Sequence, residues 1–314
     1  MVLPVVAGVD GSAESLAAAM GAPPTPLRQW GRAAREAVRR ERPLLLVHAW
    51  NWHPRQEEGE REIANAAQRH LARRSLRQAE QRIRAVCPEV HLSDEQVEGP
   101  ATAALLKVAD QAELTVLGSR GLSGFTGFLV GSVALGVVAR ATRPVVLVRA
   151  DEEAADEHLP DQDDGSPSTD TGYRDVVLAL DLSDACDEVI EFAFEAARLR
   201  HARLRAVHAW QAPGPLSLGA GDVGLVKEPQ QSHEWLGFLK AVLQVWRDKY
   251  PDVEVLESVV EDRPTTALVR AATGTSLLVV GHRLTERPLG PRTGPVTHAA
   301  IQHVGCPVAV VPHL

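Results

Sequence analysis

The tetrapeptide Val47-His48-Ala49-Trp50 recurs 160 residues later as Val207-His208-Ala209-Trp210. Arg143-Pro144-Val145-Val146-Leu147-Val148 is matched at an offset of 163 by Cys306-Pro307-Val308-Ala309-Val310-Val311. Val6-Ala7-Gly8-Val9-Asp10 aligns on its aspartate with Leu178-Ala179-Leu180-Asp181, at an offset of 171. Three landmarks in one order at similar offsets indicate duplication of a whole domain, since a solenoid unit would recur many times. Each half must then close around its own core. The 314 residues divide naturally into two domains of ordinary size.

Within the first half, strand and helix patterns alternate. Strands are expected at 3–9, 44–49, 90–97, 114–117 and 145–148, and helices at 27–40, 57–86, 102–111 and 132–141. Runs such as Leu44-Leu45-Leu46-Val47 do not alternate apolar with polar residues. That is the signature of parallel strands covered on both faces. The βαβ rhythm predicts an α/β fold, with an open, doubly wound parallel sheet in each of two tandem domains. Ligands in such sheets bind beyond the carboxyl ends of the strands, where the strand order reverses.

Charge marks the boundary between the halves. The chain carries a net charge of −8, and nine carboxylates with no Lys or Arg fall between Asp151 and Asp170. This stretch, which also holds Pro160, Gly165, Ser166, Pro167 and Ser168, reads as a solvated, mobile acidic linker. The expected organisation is a first domain over 1–150, a linker over 151–172 and a second domain over 173–314. The global acidity therefore says little about partners. No basic stripe with interleaved aromatics argues for nucleic acid, and no apolar run is long enough for a membrane span. Three scattered cysteines, Cys87, Cys186 and Cys306, exclude a disulfide framework and suit a reducing cytoplasm.

The chemistry is concentrated between two predicted elements. Gly118-Ser119-Arg120-Gly121 follows the fourth strand, and Gly131-Ser132-Val133 opens the next helix. Glycines let backbone approach an anion, and a helix start offers free N–H groups and the positive end of a dipole. Across the expected cleft stand Gly8, Val9 and Asp10. His48 and His208 read as buried, hydrogen-bonded core histidines, and Ser12 and Ser15 as helix caps. The arginines of 57–86 read as a solvated helical face. No HExxH, GxSxG or Gx4GK[ST] signature occurs, and no general base stands beside the glycines, so efficient catalysis is not expected.

The pattern Gly118-x2-Gly121-x9-Gly131-Ser132, with Gly8-Val9-Asp10-Gly11-Ser12 and Val47-His48-Ala49-Trp50, resembles the universal stress protein family, and the whole chain resembles its tandem members. The resemblance implies an adenine nucleotide alpha hydrolase-like fold in each half and a role as a nucleotide-dependent stress-response switch. It implies ATP, alone or with Mg2+, as the ligand, with at most slow hydrolysis. Gly8, Val9 and Asp10 would line the adenine and ribose pocket, and the backbone of Ala49 would contact the base. Gly118, Ser119, Arg120 and Gly121 would wrap the ribose and phosphates, and Gly131, Ser132 and Val133 would hold the phosphates. Family members pair through the last strand of the sheet, which implies pairing of the two halves within the chain and a homodimer as a further partner. The alternative is a nucleotide-independent protein-interaction module of the same fold.

At an offset of 163 the second half offers Gly281, Leu284, Gly294 and Pro295. Leucine replaces the second glycine, and proline removes both the hydroxyl and a backbone N–H. This half is expected to be structural or regulatory. The first half carries extra residues around Met20–Pro26, close to the expected adenine pocket, where they would either lid or obstruct it.

Overall fold

The computed structural model describes residues 2–9, 26–50, 58–118, 130–149, 152–211, 228–284 and 293–314. The chain forms two compact units, the first running to Ala154 and the second from Ala155 to Arg283 and on from Thr293. In the first, β1 (Val5–Gly8), α1 (Pro26–Arg39), β2 (Leu44–Trp50), α2 (Glu58–Val86) and β3 (Leu92–Glu98) are followed by α3 (Ala101–Ala109), β4 (Leu114–Gly118), α4 (Ser132–Val138) and β5 (Val145–Val148). Their strands lie in the order β3-β2-β1-β4-β5, every neighbouring pair parallel.

The second unit repeats the scheme. It comprises β6 (Val176–Ala179), α5 (Asp187–Arg200), β7 (Leu204–Trp210), α6 (Glu228–Lys249), β8 (Val255–Glu261), α7 (Pro264–Ala271), β9 (Leu277–Arg283), α8 (Pro295–His303) and β10 (Val308–His313). The order is β8-β7-β6-β9-β10, again parallel throughout. Both units are doubly wound α/β sheets.

Burial explains the strand composition. Val5, Val6, Leu44, Leu46, Leu114 and Val116 in the centre of the first sheet are wholly buried, as helices on both faces require. The outer strand β3 reads Leu-Ser-Asp-Glu-Gln-Val-Glu and is mostly exposed, a charged edge that resists pairing with another chain. It starts at Leu92, later than the sequence pattern suggests, because Cys87–Val90 form a turn in which Val90 N–H donates to the Cys87 carbonyl at 3.3 Å. The duplication reaches the backbone. Both α1 and α5 end on a left-handed residue that is not glycine, Glu41 (φ 55°) and His201 (φ 50°). In each case the next amide bonds back to the helix, Arg42 to Ala37 and Ala202 to Ala197. This is a Schellman cap.

The acidic segment departs from the spacer expected of it. A 3-10 turn at Ala154–Glu157 leads into an antiparallel bridge between His158 and Tyr173, whose rings lie 4.1 Å apart. The Leu159 amide donates to Gly172, and the Asp161 amide to Ser166 across a tip turned by Gly165 at φ 72°. Asp161 and Asp164 accept from the amides two residues on, both at 2.8 Å. The Asp, Ser and Gly content that reads as a solvated spacer thus supplies the local turn bonds of a hairpin.

Glu152, near its start, is buried against α1. Arg32, Glu36 and Arg40 follow one another at i, i+4 and i+8, and all are buried. Arg32 bonds Glu152 at 3.0 Å and Glu36 at 3.2 Å, Glu36 also receives Arg39 at 3.0 Å, and Arg40 reaches Glu113 at 3.4 Å. Charges this deep persist only when mutually paired, so breaking one pair costs far more than replacing the set by apolar groups. Glu152→Leu alone is expected to destabilise the first unit by about 3–5 kcal/mol in urea unfolding. Adding Arg32→Met should recover part of that loss, whereas additive losses would show that the two side chains do not act as a pair.

Candidate functional site

In the first sheet the chain steps outward from β1 to β2 to β3, then crosses to β4 and β5 on the other side. The strand order therefore reverses between β1 and β4, and the carboxyl ends of these strands frame a crevice. Gly8 ends β1, opposite Val47 of β2. A Cβ at Gly8 would lie 2.9 Å from Leu117 Cδ2 of β4 and 3.5 Å from Leu105 Cδ2 of α3. Glycine here lets β1, β4 and α3 close together beneath the crevice.

Val9 carries the ladder one step further, its amide donating to Val47 at 2.7 Å. Its carbonyl lies 2.9 Å from His48 Nδ1. A carbonyl only accepts, so Nδ1 carries the proton and the ring is fixed with its donor inward. His48 is buried, as expected, and it pins the chain just before Asp10. Ala49, half-buried and opposite Val97, closes the β2 side. Gly118 ends β4 opposite Val148.

Gly131 is the N-cap of α4, with extended backbone (φ −60°, ψ 148°) and no side-chain cap. The first intrahelical donor is Leu135, bonded to the Gly131 carbonyl at 3.0 Å. Ser132 and Val133 are exposed, so their amides precede the helical ladder at an open helix start. Gly136 seats this helix, since a Cβ there would lie 2.9 Å from Thr102 Cγ2 of α3. Gly8, Val9, Ala49 and Gly118 thus gather at neighbouring strand ends, and Gly131, Ser132 and Val133 form one helix start. Asp10, Ser119, Arg120 and Gly121 lie outside the described residues, as does nearly all of the Met20–Pro26 insertion.

The second unit keeps the frame and changes the lining. His208 is buried with Nδ1 3.0 Å from the Leu180 carbonyl, which reproduces the His48 arrangement. Asp181 turns its carboxylate onto Ser183, accepting from its amide at 3.0 Å and its hydroxyl at 2.7 Å. Leu182 is buried. Strand β9 runs on through His282 and Arg283, paired with Pro312 and His313. A Cβ on Gly281 would meet His313 Nε2 at 3.1 Å and Val189 Cγ2 at 3.3 Å. Thr297 of α8 donates its hydroxyl to the Gly281 carbonyl at 2.9 Å. Pro295 occupies the first turn of that helix.

The sequence model of the universal stress protein family matches residues 1–149 and 172–312. The chain belongs to the universal stress protein family. Both halves are matched, so it is a tandem, two-domain member. Universal stress protein Rv2005c of Mycobacterium tuberculosis is 30% identical over 315 residues, covering 94% of each chain. A universal stress protein from Archaeoglobus fulgidus superposes with a TM-score of 0.66 at 16% identity, covering 98% of each chain. A universal stress protein solved in complex with cAMP is 27% identical and spans 48% of this chain and 100% of its own, with a TM-score of 0.34.

Among the described residues no group of His, Cys, Asp and Glu could hold a metal ion, and no helix is long and apolar enough to cross a membrane. Burial is the main cause that pushes the Cys87 and Cys186 thiols above their ordinary value, which disfavours the thiolate. The supporting residues Leu105, Leu117, Thr102 and Gly136 were not signalled in the sequence, where they read as ordinary core. Replacing His48 or His208 by Phe leaves a buried carbonyl without its donor and should cost about 1–3 kcal/mol in urea unfolding. His48→Asn, which keeps a donor, should lose less, and equal losses would show that shape rather than the hydrogen bond matters.

Proposed function

We propose that the first domain binds ATP and that the protein works as a nucleotide-dependent stress-response switch rather than as a turnover enzyme. One observation carries this reading: the strand ends at Gly8-Val9, Ala49 and Gly118 lie on neighbouring strands around the β1–β4 reversal, in the same domain that carries the helix start at Gly131-Ser132 with no side-chain cap. Strand-end backbone suits a flat base and ribose, and an uncapped helix start suits phosphate. Gly8, Val9 and Ala49, with Asp10, would contact base and ribose. Gly118, Ser119, Arg120 and Gly121 would wrap the ribose and phosphates, and Gly131, Ser132 and Val133 would hold the phosphates, which Mg2+ would partly neutralise when bound.

The second domain serves a structural or regulatory role in this reading. Its Gly281 is packed by His313 and Val189, its Gly281 carbonyl is taken by Thr297, and Pro295 has no amide hydrogen to offer an anion. Gly281 thus has a packing reason to be glycine inside β9, whereas Gly294 holds the same N-cap position as Gly131 in the first domain.

ATP at about a hundredfold excess over its dissociation constant should stabilise the full chain by about 2.7 kcal/mol, seen as a raised Tm. Gly131→Glu and Asp10→Ala should each abolish that rise while leaving the ligand-free Tm in place. An unchanged rise in both variants would remove this site. No rise in the wild-type chain would favour the nucleotide-independent interaction module.

A further inference from the structure

The outer face of α2 carries His70, Arg73, Arg74 and Arg77, all exposed. With Gln78 and Gln81 they line a shallow groove of about 400 Å³. Helical spacing places 70, 73, 74, 77 and 81 on one side, opposite the buried Ala72, Leu76, Ala79 and Ile83. Glu80 is half-buried at the margin of this stripe. Arg73, Arg74 and Arg77 make no ion pair with any described residue. A helix needs no such cluster for its own stability, because like charges at i, i+3 and i, i+4 repel.

The same chain presents the complementary charge. Asp163, Asp164 and Asp170 are exposed on the hairpin closed by the His158–Tyr173 bridge, and Asp161 is half-buried at its tip. None of the four pairs with a Lys or Arg among the described residues. The hairpin is held by its own hydrogen bonds, so its charges are presented in a fixed geometry with little further ordering on contact.

We propose that two copies of this chain associate by seating the acidic hairpin of one in the arginine-lined groove of α2 in the other. Each contact pairs one groove with one hairpin. Exposed ion pairs contribute little singly, so the association is weak, and salt screens it because the Debye length falls below the contact dimensions. The proposal is independent of nucleotide binding.

The test is sedimentation equilibrium of the full chain. Wild type should associate at about 50 mM NaCl and weaken about tenfold or more by about 500 mM. Arg73→Glu with Arg77→Glu should be monomeric at low salt, and so should Asp163→Lys with Asp164→Lys. Because all four positions are exposed, both variants should keep the wild-type Tm. Mixing the two should restore association, since each variant then meets its opposite charge. A monomeric wild type at low salt, association that salt and both reversals leave unchanged, or a mixture that stays monomeric would each overturn the proposal.

Discussion

The reversal of strand order between β1 and β4 is the constraint on which the rest of this structure depends. Parallel strands need crossover helices, and only at the reversal do the crossovers on either side leave the strand ends uncovered. Glycine at position 8 eases the closing of β1 against β4 there, because a Cβ would press on Leu117 Cδ2 at 2.9 Å and touch Leu105. The His48 bond to the Val9 carbonyl then fixes where the chain leaves β1, and Gly136 against Thr102 fixes where α4 begins. The crevice is a by-product of packing made precise by a few small residues and one histidine.

Duplication gave two copies of this frame, and the copies differ in how they fill it. Shared backbone devices include the left-handed caps Glu41 and His201 and the paired histidines His48 and His208. The interiors diverge: where α1 has buried Arg32 and Glu36, the corresponding turns of α5 have buried Phe192 and Ala196. The crevices diverge as well. In the second domain β9 and β10 stay paired through His282–Pro312 and Arg283–His313, His313 packs on Gly281, and Thr297 ties the helix to the strand.

The sheet was legible in the sequence because apolar runs, their spacing and their recurrence are local signals. The strand-end glycines and core histidines were legible for the same reason. Three features were not. Arg32, Glu36 and Arg40 at i, i+4 spacing look like a solvated face, and only Glu152, more than a hundred residues away, makes them a buried network. The acidic segment has the composition of a spacer, and its hairpin depends on the pairing of His158 with Tyr173. Gly281 reads as a surviving phosphate glycine until His313, thirty-two residues on, is seen against it. In each case the deciding partner is remote in sequence.

The proposed function makes the two domains unequal, with nucleotide bound in the first and none in the second. Isothermal titration of ATP into the intact chain tests it most directly. One site per chain, lost on Gly131→Glu and untouched by Gly294→Glu, is the expected result. Two sites per chain, or one site that survives Gly131→Glu and disappears with Gly294→Glu, would contradict it.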